Sequence, residues 1–223
     1  MIDDKHAAAL AALDEVAAGM TVGLGTGSTA AHVIRLLGER VRAGLAIRAV
    51  ATSLATEALA AECGIAVIDF ADLARIDLAI DGADEIDDRC RAIKGAGGAM
   101  LREKAVAEAA TRMIVVADGS KRRSAIGTAP VPVEVLPFAR ALVIERLSAI
   151  ATSVAIRPDY RTDGGNLVAD CTFAAMRDPI PIAHGIERIP GALGHGLFLT
   201  EIDAAYLATD GVITRLERTA ACR

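Results

Sequence analysis

Residues 21–37 read TVGLGTGSTAAHVIRLL. TVGL (21–24) has the character of a short strand, GTGST of a glycine-rich turn, and residues 29–43 of a helix that stops at Gly44. A strand that enters a helix through glycines is the start of a βαβ unit, and the flanking sequence repeats the pattern. Before it, residues 3–18 form an Ala-rich helical pattern ended near Gly19. After it come a strand at AIRAVAT (46–52), a helix at 54–63 ended by Gly64, and strands at IAVIDF (65–70) and IDLAI (76–80). A helix at 98–110 and a strand at MIVVA (113–117) complete the run. Strands alternating with helices predict an α/β fold built on a doubly wound parallel sheet.

The seven prolines all lie between Pro130 and Pro190, which places a domain boundary near residue 128. VPVEV (131–135), a helix at 138–150, SVAIR (153–157), NLVADC (166–171), a helix at 180–188 and GLFL (196–199) make a smaller α+β unit. AAYLAT and VITRL, at 204–216, read as strands that rejoin the first sheet. The expected domains are therefore 1–127 with 197–223, and 128–196.

Of the 223 residues, 53% are hydrophobic, enough for a sizeable core. Aromatics make up only 3% and Trp is absent, so the core rests on Ala, Val, Ile and Leu, which suits a parallel sheet under Ala-rich helices. A net charge of −5 argues against a general nucleic-acid binder. It leaves room for a small phosphorylated ligand, which needs only a few cations. Cys63, Cys90, Cys171 and Cys222 are far apart and form no metal-ligand spacing, so reduced thiols are expected. MIDDKH at the start lacks a signal-peptide pattern, and no apolar run spans a bilayer, so the expectation is a soluble cytoplasmic protein without membrane partners.

Four polar clusters stand at the C-terminal ends of predicted strands. GLGTGST (23–29) offers glycines that admit a ligand close to the backbone, free N–H groups at a helix start, and the hydroxyls of Ser28 and Thr29. It is equally well read as a tight turn with Ser28 as N-cap. It is neither a Walker A loop, since Gly27 stands where Lys is needed, nor a dinucleotide fingerprint, since Thr29 replaces the third glycine. DGADEIDD (81–88) holds five carboxylates in eight residues. KGAGGAMLREK (94–104) sets Lys94 before a glycine-rich turn and Glu103 in the following helix, where an acid is favoured by the dipole in any case. ADGSKRRS (117–124) places Lys121 beyond a strand end. Each is weak alone, but ligands of open α/β sheets bind at that edge, and four clusters there describe a site.

Taken together, GLGTGSTA, DGADEID, KGxGGAxxREK, ADxSK and the later P-x-P-V-E-V-x-P-x-A (130–139) resemble the ribose-5-phosphate isomerase type A family. TDGGN (162–166), DP (178–179) and IPG (189–191) fit as well. The resemblance implies a Rossmann-like domain carrying a smaller ferredoxin-like α+β domain, in a homodimer or homotetramer. It implies interconversion of ribose 5-phosphate and ribulose 5-phosphate in the pentose phosphate pathway, without metal or organic cofactor. By resemblance Glu103 is the base, Lys94 the cation near the enediolate oxygens, Asp81 the proton handler for ring opening, and Asp84 the holder of sugar hydroxyls. Thr26, Gly27, Ser28 and Thr29 would cradle hydroxyls or phosphate. Gly82, Ala83, Gly95, Ala96 and Gly97 would line the substrate, with Lys121 and Lys5 positioning it. Ala96 departs from the family's glycine, and would cost roughly 1–2 kcal/mol if φ there must be positive. Glu85, Asp87 and Asp88 read as a solvated turn. His6, His32, His184 and His195 match no family motif and are given no role.

Three other readings compete. A non-catalytic sugar-phosphate sensor should have lost the base, yet Glu103 and Lys94 are present. An amino-sugar-phosphate deaminase shares the Gly-Thr-Ser loop but not DGADE followed by KGxGG. A metal enzyme at DGADEIDD would have a spacing that fits no calcium loop and no accompanying His or Cys.

Overall fold

A computed structural model describes residues 3–174 and 176–219, so Cys222 lies outside the described residues. The chain begins with α1 (Asp4–Ala12), β1 (Thr21–Leu24), α2 (Ser28–Arg42), β2 (Arg48–Ala51), α3 (Leu54–Glu62) and β3 (Ile76–Asp81). It continues through β4 (Glu85–Asp87), β5 (Ala92–Ile93), α4 (Met100–Ala109), β6 (Ala110–Asp118), β7 (Arg122–Arg123) and β8 (Val131–Val135). Then follow α5 (Arg140–Ser148), β9 (Ser153–Ile156), β10 (Leu167–Thr172), α6 (Ile180–Glu187), β11 (Ala192–His195), β12 (Leu197–Phe198), β13 (Ala204–Thr209) and β14 (Val212–Glu217).

Strands β2, β1, β3, β6 and β13 pair in parallel, and β14 closes one edge antiparallel to β13. Both faces of this sheet are covered, as its apolar strands require. Along β6, Ile114 and Val116 join a core layer with Ala8 and Ala12 of α1 and Val33, Ile34 and Leu37 of α2. Val115 and Ala117 turn the other way, to Val106 and Ala107 of α4 and to Phe198. The two-residue alternation of a strand thus feeds both layers.

The second sheet has the order β11-β8-β10-β9, all antiparallel, with the sequence βαββαβ. That is the ferredoxin-like arrangement. Val143 and Leu147 of α5 and Ile186 of α6 pack on Val133, Val135 and Ala169 of its strands. A third sheet, β12-β5-β4-β7, was not expected. Its strands are only two or three residues long, too short to show a period.

Three local expectations fail. GLFL leaves the smaller unit: Leu197–Phe198 pairs with β5 in the third sheet, and Ala192–His195 supplies the second sheet's fourth strand instead. IAVIDF makes a single bridge, Ala49 to Val67, rather than a strand. Asp69 accepts a hydrogen bond from Ala71 N–H and turns the chain into a 3-10 turn at Phe70–Asp72. The cap of α2 is Gly27 rather than Ser28. Gly27 sits at φ 111°, which a side chain would strain, and offers no side-chain acceptor, so Ser28 keeps its hydroxyl for other use. Among the described residues no helix is long and apolar enough to cross a membrane. Cys90 and Cys171 are buried free thiols, pushed up to about 11 and about 12 by burial.

Candidate active site

At the C-terminal edge of the parallel sheet, β1 ends in the Gly25–Gly27 turn and β3 ends at Asp81. The two meet closely. A Cβ on Gly25 would lie 1.9 Å from Asp81 Oδ1, so glycine there is what admits the carboxylate. Asp81 Oδ1 accepts from Thr26 N–H at 3.1 Å and from Gly82 N–H at 2.7 Å. Its other oxygen, Oδ2, lies 2.8 Å from Lys94 Nζ.

Lys94 follows β5, and its backbone N–H donates to Gly196 O at 2.9 Å. Its ammonium donates to Gly82 O at 2.6 Å and sits 3.0 Å from Glu103 Oε2. The contact with Oε2 is one of charge without hydrogen-bond geometry, so that oxygen has no directed donor. Glu103 stands in the first turn of α4 and is 4% exposed. Two carboxylates and one ammonium therefore share one buried cluster.

Their charge states follow from this packing. Burial, then the neighbouring Asp81, raises Glu103 to about 8 against the pull of Lys94. Burial also raises Asp81, with Lys94 and the two backbone donors opposing. Burial alone would lower Lys94, but the two carboxylates outweigh it and its pKa goes up. Lys94 is thus a fixed cation, and Glu103 is poised to gain or lose a proton.

A cleft of about 210 Å³ opens above this cluster. Every candidate residue named from the sequence lines it except Asp81, which is 3% exposed and lies behind Lys94. Glu103 and Lys94 line the cleft. So does the start of α2, which has no side-chain cap and where Lys5 Nζ donates to Ser28 Oγ at 2.9 Å. Lys121 closes the same cleft from the 3-10 turn after β6. Asp84 accepts from Ala96 N–H at 2.9 Å. Ala96 has no positive φ, because Gly95 and Gly98 take those conformations at 100° and 73°, so its departure from glycine carries no strain.

A profile of the family described as Ribose 5-phosphate isomerase A (phosphoriboisomerase A) matches residues 48–211. The chain is 50% identical over 216 residues to ribose-5-phosphate isomerase A of Sphingopyxis alaskensis, covering 95% of each. The chain belongs to the ribose 5-phosphate isomerase A family. Its fold is that of the family member from Neisseria gonorrhoeae, with a TM-score of 0.91, 34% identity and 96% of each chain covered. It also matches a D-ribose-5-phosphate isomerase solved in complex with phospho-erythronic acid, at TM-score 0.92 and 35% identity over 96% of this chain and 97% of that one. Membership in this enzyme family favours the isomerase reading over the sensor.

The DGADEIDD stretch of this family member divides differently from expectation. Glu85 and Asp87 are 2% and 1% exposed and lie in β4, not in a solvated turn. Glu85 accepts from the backbone N–H groups of Gly127, Thr128 and Ala129 at 2.8–3.1 Å. Asp87 pairs with Arg91, 2.6 Å away. Only Asp88 is an exposed surface acid, paired with Arg122. Each of the buried carboxylates faces its own donors, which the one-dimensional cluster hides. Sequence reading also missed Thr52, Ser53 and Thr56. The first two hydroxyls lie 2.8 Å, and the third 3.2 Å, from Thr26 Oγ1. They follow β2 at the same sheet edge, and that position was the available signal. Among the histidines, His195 is buried and accepts from Leu197 N–H, a packing role away from the cleft.

Proposed function

We propose that the protein interconverts D-ribose 5-phosphate and D-ribulose 5-phosphate through an enediolate, in the non-oxidative pentose phosphate pathway. The observation that carries this reading is the buried Asp81–Lys94–Glu103 cluster beside a cleft that Lys5 and Lys121 also line. Glu103 removes the proton from C2 of the open-chain aldose and returns it to C1. Its Oε2 has no directed donor and can accept that proton. Lys94 stabilises the oxyanion that develops at the adjacent oxygens. Asp84, steadied by Ala96 N–H, holds sugar hydroxyls. Asp81 serves ring opening through the Lys94 ammonium that it contacts, since its own oxygens do not reach the cleft.

The phosphate lies at the start of α2, where free N–H groups, Ser28, Thr29, Lys5 and Lys121 converge. A relative binds phospho-erythronic acid. Its phosphate suits that end, and its carboxylate mimics a planar enediolate at the other. All proposed site residues precede residue 128, so we assign catalysis to 1–127 with 197–223, and support of the site to 128–196. No metal or organic cofactor takes part in this scheme. The protein acts in the cytoplasm as a homodimer or homotetramer, with the sugar phosphate as its small-molecule partner.

A coupled assay for ribulose 5-phosphate formation, run with and without chelator, tests the proposal. The expected result is equal turnover in both. No product would overturn the isomerase reading, and loss of product only in chelator would overturn the metal-free scheme.

A further inference from the structure

The glycine-rich loop at 95–98 is held from outside the catalytic unit. Three consecutive carbonyls accept hydrogen bonds from two side chains that follow β9 of the second sheet. Arg157 donates to Gly95 O at 3.1 Å and to Ala96 O at 2.9 Å. Tyr160 OH donates to Gly97 O at 2.8 Å. The clamp is itself braced. Arg157 forms two hydrogen bonds with Asp170 of β10, at 2.8 and 2.7 Å, and its guanidinium lies 5.6 Å from the Tyr160 ring centroid. Arg157 N–H also donates to Val168 O at 2.9 Å, so the residue is anchored by backbone as well as side chain.

The peptide between Gly95 and Ala96 connects this clamp to the cleft. Its carbonyl accepts from Arg157, and its N–H donates to Asp84 Oδ2 at 2.9 Å. In a planar trans peptide the two groups point in opposite directions. Fixing the carbonyl therefore fixes the N–H, and the N–H occupies one carboxylate oxygen of Asp84. Tyr160 also fills the space beside Gly98, where a Cβ would come within 2.1 Å of its hydroxyl.

We propose that Arg157 and Tyr160 are positioning residues of the active site. They act through the 95–98 peptides to place the Asp84 carboxylate in the cleft. The catalytic part of this inference rests on the isomerase reading above. It gives the second sheet a part in the reaction, although none of its side chains need touch the reacting carbons.

The test uses the full chain and the variants Tyr160→Phe, Arg157→Lys and Arg157→Ala, each also combined with Asp84→Asn. Tyr160→Phe removes one hydroxyl and keeps the ring. It is expected to lower kcat/KM roughly fivefold, mainly through KM, with the melting temperature unchanged. Arg157→Lys keeps the charge but loses the fork, and is expected to lower kcat/KM roughly tenfold or more. In the Asp84→Asn background either change should cost no more than about twofold, because the residue through which they act is already disabled. Full additivity with Asp84→Asn would overturn the proposal. So would kcat/KM within about twofold of wild type for both single variants. Amide hydrogen exchange at residues 96–98 gives a readout independent of turnover. If the wild type fails to isomerise ribose 5-phosphate, the isomerase reading falls. Faster exchange in the variants would then still support the clamp, and unchanged exchange would overturn it.

Discussion

At Glu103, burial and the nearby Asp81 raise the pKa to about 8, and this makes pH the sharpest probe of the site. A base must be ionised to act, so kcat/KM should rise with pH along an acid limb centred near 8 and level off above it. A limb centred near 4.5 would mean that Glu103 is not the group observed. Glu103→Gln should still bind ribose 5-phosphate by calorimetry, while turnover falls by roughly a thousandfold or more. Near-normal turnover would remove Glu103 from the base role. The same shift has a stability consequence. The folded-state pKa lies above the usual carboxylate value of 4.5, so the folded protein holds a proton that the unfolded chain has lost. The contribution of Glu103 to stability is therefore full below about pH 4.5 and declines as pH rises toward 8. Glu103→Gln should flatten that decline in thermal melts taken between pH 5 and 9.

Among the elements, the start of α2 and strand β4 make different demands. The α2 terminus has backbone donors without a side-chain cap, with Lys5 and Lys121 nearby. Replacing either lysine with Ala should raise KM for ribose 5-phosphate roughly tenfold and change kcat less, since phosphate binding is shared by ground and transition states. A fall in kcat with unchanged KM would move that lysine to the reacting end. Strand β4 is held by Glu85, whose carboxylate satisfies three backbone donors at 127–129. Glu85→Ala would remove the shared acceptor of three partly buried donors, at a cost of about 3 kcal/mol, and the melting temperature should fall by roughly 6–12 °C. Asp88→Ala, on the exposed side of the same acidic run, should leave the melting temperature unchanged. Equal effects of the two substitutions would restore the reading of the run as one solvated turn.

On the scale of the whole molecule, the most exposed large apolar side chain among the described residues is Phe138, 96% exposed, near Leu136 and Leu142, also exposed, at the start of α5. We propose this face as the contact of the homo-oligomer, since an exposed apolar cluster is what such an interface covers. Phe138→Ser should lower the mass measured by light scattering toward that of one chain. An unchanged multimeric mass would place the interface elsewhere. The chain's low aromatic content bears on the core as well. With 3% aromatics, the layers are filled by Ala, Val, Ile and Leu, and small alanines such as Ala8, Ala9 and Ala12 bring α1 against the sheet.

The sequence by itself determined the parallel sheet, the return of β13 and β14 to it and the second unit, while resemblance to the family named the residues found lining the cleft. These were legible because strand–glycine–helix junctions repeat locally and because ligands of such sheets collect at one edge. The tertiary structure decided the rest. It turned DGADEIDD into separate tasks, with Asp81 behind Lys94, Asp84 on Ala96 N–H, Glu85 on the 127–129 backbone and Asp87 on Arg91. It also brought Arg157 and Tyr160, some sixty residues distant in the chain, onto the glycine-rich loop. Neither outcome could be read in one dimension. A carboxylate's burial, charge state and partner depend on which distant donors the fold delivers to it, and those donors leave no periodic trace around the carboxylate itself.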